Sequence, residues 1–286
     1  MSFRPGSKTA VRVWEIDQAS GRWRRDHLAT EEPMEIRLIT QGVRRTVAVT
    51  MRTPGNDFDL AAGFLHGEGV IASRDDIEQI SYCVDPEIDA AQQYNIVNVT
   101  LRGNLAPDLA PLERHFYTTS ACGVCGKASL DALRVRSCPV IPEGPEIPTE
   151  VLYSLPDKLG AAQGVFQKTG GLHAAALFDT SGQLIQVRED VGRHNALDKL
   201  VGWALLDGNL PLSNAILLVS GRTSFEILQK ALVAGIPIVC AISAPSSLAV
   251  DLAREFGITL VGFLRGERCN VYTSPERVSL PSNVPD

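Results

Sequence analysis

The sequence predicts an α/β protein, with a β-rich first part followed by a layered domain in which strands alternate with helices. Three observations carry this. Apolar and polar side chains alternate with period two in several runs before Leu101, as in half-buried strands. From Thr149 onward, short continuous apolar runs alternate with stretches of helical periodicity, the pattern of a sheet covered by helices and parallel in its later part. Between the two lies Cys138-Pro-Val-Ile-Pro-Glu-Gly-Pro-Glu-Ile-Pro148, proline-dense and readable as a linker. The expected division is a β-rich domain over 1–116, a cysteine-bearing loop and linker over 117–147, and a second domain over 148–286.

Taken in order, Val11–Ile16, Met34–Ile39 and Arg45–Met51 read as strands. Thr53-Pro-Gly-Asn breaks the pattern, and Asp57 can cap a helix carrying Leu60, Ala61, Phe64 and Leu65 on its apolar face. Ile77–Val84 and Ile96–Leu101 are further strands, Gly103–Gly126 is loop-like, and Leu130, Leu133 and Val135 suggest a short helix. A helix over Thr149–Ala162 leads to strands at Ala174–Phe178 and Leu184–Val187, joined by an Asp179-Thr-Ser-Gly turn. Helical spacing follows from Ala196 to Leu205 and stops at Gly208. Ala215–Val219, Ile236–Ile242 and Ile258–Phe263 are apolar strands. Thr223-Ser-Phe-Glu226 has the form of a capping box, and Ser246 and Gly257 bracket another helix.

The 286 residues suffice to bury a large core without disulfides, and the net charge of −6 argues against a dedicated nucleic-acid binder. Met1–Ala10 contains no apolar signal region, and no apolar run approaches the ~20 residues that span a bilayer, so a cytoplasmic location without membrane contact is expected. Thiols there stay reduced unless they react or bind metal. Cys83 and Cys240 sit in apolar runs and read as buried small hydrophobes.

Only Cys122-Gly-Val-Cys125 has motif spacing among the six cysteines. Gly123 and Gly126 permit tight turning, and Lys127 favours the reactive thiolate. Four readings stand. A zinc site needs four ligands, and only His115 and Cys138 are at hand to complete one. A thioredoxin-like redox pair normally follows a strand in a βαβ unit, whereas a long loop precedes this one. An inert surface pair is the third reading. Persulfide chemistry, with one cysteine carrying sulfur and the other assisting, is the fourth and the favoured one.

Two turns between strand and helix hold the remaining candidates: Arg188-Glu-Asp-Val-Gly-Arg-His-Asn195 and Ser220-Gly-Arg-Thr-Ser224. Helix N-termini favour anions, and Arg193 and Arg222 would strengthen that preference. Structural caps are the alternative for each turn, and His194 could be a capping histidine or a catalytic one. Two such turns from one sheet suggest a shared crevice beyond the strand ends. Phe263-Leu-Arg-Gly-Glu-Arg268 follows the last strand and either suits an anion or is a solvated turn.

At these residues the chain resembles the FdhD family of formate dehydrogenase accessory sulfurtransferases. The matching segments are Cys122-Gly-Val-Cys-Gly-Lys, Thr169-Gly-Gly-Leu-His-Ala-Ala, Arg188 through Lys199, Ser220-Gly-Arg-Thr-Ser-Phe-Glu, Ser243-Ala-Pro-Ser-Ser-Leu-Ala-Val and Val261-Gly-Phe-Leu-Arg-Gly-Glu-Arg. Glu31-Glu-Pro and Asp59-Leu-Ala-Ala-Gly-Phe-Leu fit as well.

The resemblance implies a persulfide relay. Sulfur would pass from a cysteine desulfurase to Cys122, with Cys125 as partner. From there it would go to the bis(molybdopterin guanine dinucleotide) molybdenum or tungsten cofactor of formate dehydrogenase. It further implies cofactor contacts over Phe263, Leu264, Arg265, Gly266, Glu267 and Arg268, a cytidine-deaminase-like three-layer α/β/α second domain, and a homodimer. Arg193, His194 and Arg222 join the expected cofactor-binding set as anion donors at the two turns. Two alternatives remain: a non-catalytic cofactor chaperone, and a deaminase-like hydrolase. The latter would need a zinc-binding His-x-Glu and Pro-Cys-x-x-Cys signature, where this chain has Gly192-Arg-His-Asn and Ser220-Gly-Arg.

Overall fold

The computed structural model describes residues 6–18, 20–103, 140–141 and 144–281, leaving aside the side chains of Ala90 and Ala91. β1 (Lys8–Asp17) and β2 (Ser20–Ala29) form a separate antiparallel ribbon. β2 was not expected, because Arg22, Arg24, Arg25 and Asp26 give it no apolar alternation to recognise. β3 (Glu32–Thr40), β4 (Val43–Arg52), β5 (Ile77–Tyr82) and β6 (Ile96–Leu101) make a four-stranded sheet in the order β4-β3-β6-β5. Met34, Ile36, Val97 and Val99 bury one face of it against Leu60, Ala61 and Leu65 of α1 (Asp57–Gly67). A single turn, α2 (Ala90–Gln93), precedes β6.

Asp57 does not cap α1. The cap position is Asn56, in a left-handed conformation (φ 54°) with no side-chain bond to the helix. Asp57 is instead buried in the first turn, where it accepts hydrogen bonds from Arg52 Nε and Nη2, both at 3.2 Å, and from the Tyr82 hydroxyl. A buried arginine demanded the carboxylate that local reasoning had given to the helix end.

In the second half, β8 (His173–Asp179), β9 (Leu184–Asp190), β10 (Ala215–Val219), β11 (Ile238–Ala241), β12 (Thr259–Arg265) and β13 (Arg268–Thr273) form one sheet, ordered β13-β12-β11-β10-β8-β9. β10, β11 and β12 are parallel, while β8 runs antiparallel to both β10 and β9, and β13 runs antiparallel to β12. The sheet is therefore mixed, parallel only in its centre. On one face Leu177, Leu217, Val239 and Leu260 pack under α5 (Arg193–Leu206), α6 (Phe225–Val233) and α7 (Ser247–Phe256). On the other, Phe178, Leu218 and Val261 meet Leu152, Leu155 and Leu159 of α3 (Thr149–Ala162). A short α4 (Phe166–Thr169) links α3 to β8. Helices on both faces give the three layers expected.

The end of the proline-dense segment is also structured, since β7 (Ile147–Pro148) pairs in parallel with β14 (Val278–Ser279). Ser246 caps α7 through Ala249 N, and Gly257 closes it at φ 73°, as the sequence implied. The capping box at Thr223 is absent. Ser224 is the cap residue without a side-chain bond, and Thr223 is fully buried, its backbone bridging to Pro245.

The two sheets are joined through α1 and α5. At their crossing Gly63 meets Gly202. A Cβ on Gly63 would stand 1.9 Å from the Asp198 carbonyl oxygen, and one on Gly202 would stand 1.8 Å from that of Asp59. Only glycine allows helix backbones this close. Around the crossing Lys199 Nζ contacts Asp190 at 2.6 Å and donates to the Thr53 carbonyl at 2.8 Å, all three buried. Arg188 donates to Asp59 at 2.9 Å.

Candidate functional site

β9, β10, β11 and β12 run in the same direction, so the turns leaving their C-terminal ends gather along one side of the sheet, joined there by the start of β8. This is where open α/β sheets collect ligands. The first turn, from Asp190 to His194, divides its side chains between two tasks. Asp190 turns inward, accepting from Thr53 N, Gly192 N and Asn195 Nδ2 in addition to pairing with Lys199. Asn195 donates to the Met51 carbonyl at 2.7 Å. These residues fasten the turn to the first half of the molecule and are spent on structure. Arg193 and His194 remain for the crevice.

Arg193 Nε is buried and has no hydrogen-bond partner among the described residues. A buried guanidinium nitrogen without an acceptor is costly, so it marks a place for an anion. It lies beside Gly221, whose absent Cβ would fall 3.7 Å from Arg193 Cδ and 3.3 Å from His173 Nδ1. The glycine keeps the space between these two side chains open to a ligand. His173, at the first position of β8, is held neutral: burial lowers its pKa, and the charges of Arg193 and His194 lower it further. No ligand role had been assigned to His173 from the sequence, although it stands in Thr169-Gly-Gly-Leu-His, one of the segments that carry the resemblance.

His194 Nε2 lies 3.0 Å from Glu226 and 3.2 Å from the Ser224 hydroxyl, tying the start of α5 to the start of α6. Glu226 thus serves this link between the two helices rather than a capping box. Arg222, in the second turn, is exposed. The second turn joins a third, residues 242–246 between β11 and α7, through Thr223 N to the Ala244 carbonyl and Ser246 N to the Thr223 carbonyl.

The third turn touches the end of β12, where Phe263 N donates to the Ser243 carbonyl at 3.1 Å. Phe263 adopts a left-handed conformation (φ 53°), which costs energy in a bulky residue, and its ring is 39% exposed. Arg265 lies opposite Arg268 across a turn containing Gly266 (φ 51°) and Glu267, and Arg265 Nε reaches the Ile242 carbonyl at 3.4 Å. All four of these turn residues are exposed. Leu264 differs: its side chain is fully buried in the core beneath α3. The structure therefore brings Arg193, His194, Arg222, Phe263 and Arg265 to the same side of the sheet, with Arg268 at its rim.

Cys122, Cys125, His115 and Cys138 lie outside the described residues, as do the segment read as loop-like beyond Gly103 and the short helix expected near Leu130. Among the described residues no group of three or more His, Cys, Asp or Glu side chains could hold a metal ion, and no helix is long and apolar enough to cross a membrane. Cys83 and Cys240 are buried, and burial pushes the Cys240 thiol far above its ordinary range, which leaves it unreactive.

Arginines gathered beyond the strand ends of a mixed sheet have the chemistry to receive an anion, and relatives of the chain give its class a name. The FdhD/NarQ family model matches residues 29–279. The chain is 58% identical to the sulfur carrier protein FdhD of Streptomyces avermitilis, covering 94% of this chain and 95% of that protein. It is 52% identical to that of Mycobacterium tuberculosis (94% and 97%) and 47% identical to that of Sulfurisphaera tokodaii (94% and 98%). A crystal structure from Desulfotalea psychrophila, named for a formate dehydrogenase accessory protein, superposes with a TM-score of 0.70 at 27% identity, covering 95% of this chain and 99% of that one. The chain belongs to the FdhD/NarQ family.

Proposed function

We propose that this protein is a sulfurtransferase that accepts sulfur as a persulfide on Cys122 and delivers it to the bis(molybdopterin guanine dinucleotide) cofactor of formate dehydrogenase. The observation that carries the reading is the buried Arg193 Nε beside Gly221, without a partner among the described residues, in a family whose named relatives are sulfur carriers.

In the loading step the Cys122 thiolate attacks the outer sulfur of a donor cysteine persulfide. A new S–S bond forms at Cys122, the donor's S–S bond breaks, and the donor leaves as thiolate with the electron pair. A cysteine desulfurase supplies such a persulfide, and Cys125 is the partner thiol. The pterin cofactor is substrate here, not a resident group, and its two pyrophosphates match the donors present. Arg193, Arg222, Arg265 and Arg268 supply guanidinium forks. His194 donates at the mouth of α5, and the exposed ring of Phe263 offers a stacking face for a base. Gly266 and Glu267 shape the turn that presents the two arginines, and Leu264 anchors that turn in the core.

Incubation with a desulfurase and cysteine, followed by intact-mass measurement, should show one added sulfur in wild type and none in Cys122→Ala. Equal gain in both would overturn the relay. Full activation of formate dehydrogenase by a Cys122→Ala/Cys125→Ala protein would favour a non-catalytic cofactor chaperone instead.

A further inference from the structure

The β1–β2 ribbon stands apart from both sheets and precedes most of the family-matched residues. A two-stranded ribbon is marginal in water by itself, yet this one spends its outward face on exposed indoles. Trp14 and Trp23 lie directly opposite each other and are 50% and 56% exposed, with Ile16 beside them at 72%. Gly21 makes room for this. A Cβ there would fall 2.4 Å from the Trp14 ring, so the indole lies flat across the neighbouring strand. Trp23 packs edge-on to it at 5.4 Å, and the Arg12 guanidinium sits 4.9 Å from the Trp23 ring centre.

The charges on the ribbon are sorted by face. Directly opposed residues share a face, so Arg12 and Arg25 flank the tryptophans, with Ala10 and His27 beyond them. Glu15, Asp17 and Asp26 alternate onto the other face, where Glu15 pairs with Arg22 and Arg24, and Arg24 also pairs with Asp26. The tryptophan face is left with no acid. Arg12 directly across from Arg25 is a like-charge pair, which weakens the ribbon. The Trp14–Trp23 pair and Arg12 over Trp23 help hold the ribbon, yet both indoles remain about half exposed, with Ile16 beside them, an apolar patch larger than a lone surface residue.

We infer that the outward face of the β1–β2 ribbon is a docking surface for an acidic patch on a partner protein. Tryptophan and arginine are the side chains that dominate binding energy at protein interfaces, and two guanidinium groups with no carboxylate on their face of the ribbon call for carboxylates. A second copy docking face to face would set Arg12 and Arg25 against themselves. A nucleic acid would meet the overall charge of −6 and the three acids on the ribbon's back. The partners available for trial, a cysteine desulfurase and formate dehydrogenase apoenzyme, come from the proposed function.

The test uses the full chain and those two purified proteins. One of the two should bind, shifting tryptophan emission to the blue as Trp14 and Trp23 lose water. Binding should weaken with salt, and Arg12→Glu/Arg25→Glu should reduce affinity by roughly tenfold or more. The wild-type emission shift requires no variant and so stands even where the double substitution misfolds. The inference is overturned if neither protein binds, or if binding leaves tryptophan emission unchanged. It is also overturned if the folded variant binds as wild type does, if a single-stranded oligonucleotide binds more tightly than either protein, or if the substitution merely dissolves a homodimer seen by sedimentation. Persulfide loading of Cys122 by a small-molecule polysulfide is independent of docking, so its loss would count against the sulfur relay alone.

Discussion

Within Arg188–Lys199, neighbouring residues of one chemical type have opposite duties. Asp190, Asn195 and Lys199 are buried and satisfied by one another and by Met51 and Thr53 of the first half of the molecule, so their polar groups are structural. Arg193 sits among them with a buried Nε that lacks an acceptor among the described residues. Nothing in the local sequence separates these cases, because the distinction depends on which way each side chain leaves the first turn of α5. If Arg193 and Gly221 form an anion site, Arg193→Ala should cost about tenfold or more in GDP affinity, the ordinary worth of a charge-assisted hydrogen bond. Gly221→Ala should lower affinity similarly, since its Cβ would stand 3.3 Å from His173 and fill the opening. Calorimetric titration measures both, with thermal melting to show that the fold survives. Unchanged affinity in the two variants would move the nucleotide elsewhere.

Helices and strands were readable where a face is apolar and the period is clean. The sequence places α3 at Thr149–Ala162 and β10 at Ala215–Val219, with the bounds found in the structure. β2 escaped because its side chains are largely exposed, so water rather than a core sets its composition, and β13 because it is a short, half-buried edge strand with no clean alternation. Caps divide the same way. Ser246 caps α7 because no stronger claim competes for it, whereas Asp57 and Glu226 are claimed by Arg52 and His194. The crossing of α1 and α5 yields a sharp expectation. Gly63→Ala or Gly202→Ala must push the helices apart, and should destabilise the protein by roughly 3 kcal/mol, the upper range for overpacking. Urea unfolding checks this. Gly160→Ala, within α3 where a Cβ meets nothing within 4 Å, is the control and should be neutral or slightly stabilising.

At the scale of the whole molecule, the two sheets act together because their join is both tight and charged. Lys230 on α6 pairs with Asp198 on α5 at 2.7 Å. Burial alone would lower its pKa, but the carboxylates of Asp198 and Glu68 outweigh that and keep it charged. Two histidines shift downward instead. His66 at the end of α1 is lowered mainly by burial, and His173 by burial together with Arg193 and His194. Both are neutral in the fold, while in the unfolded chain they protonate near the ordinary value of about 6.5. Stability is therefore fully present above that pH and declines as pH falls below it towards the lowered values, because the unfolded state binds more protons. Melting temperatures across pH 7.5 to 5.5 should fall, and a His173→Gln variant should fall less steeply. A flat profile in wild type would contradict the assigned neutrality.

The sequence by itself determined the layered α/β class, most element positions, and the family through its spaced motifs, because burial and periodicity leave a local record in composition. Only the tertiary structure decided which polar residues serve the crevice and which serve the join between the sheets. It also set His173 beside Arg193 across Gly221, Glu226 against His194, and tryptophan and arginine on one face of the β1–β2 ribbon. Those outcomes depend on which distant groups meet a side chain. Electrostatic and hydrogen-bond partners are set by strand order and helix crossing, and neither is written in any short stretch of the chain.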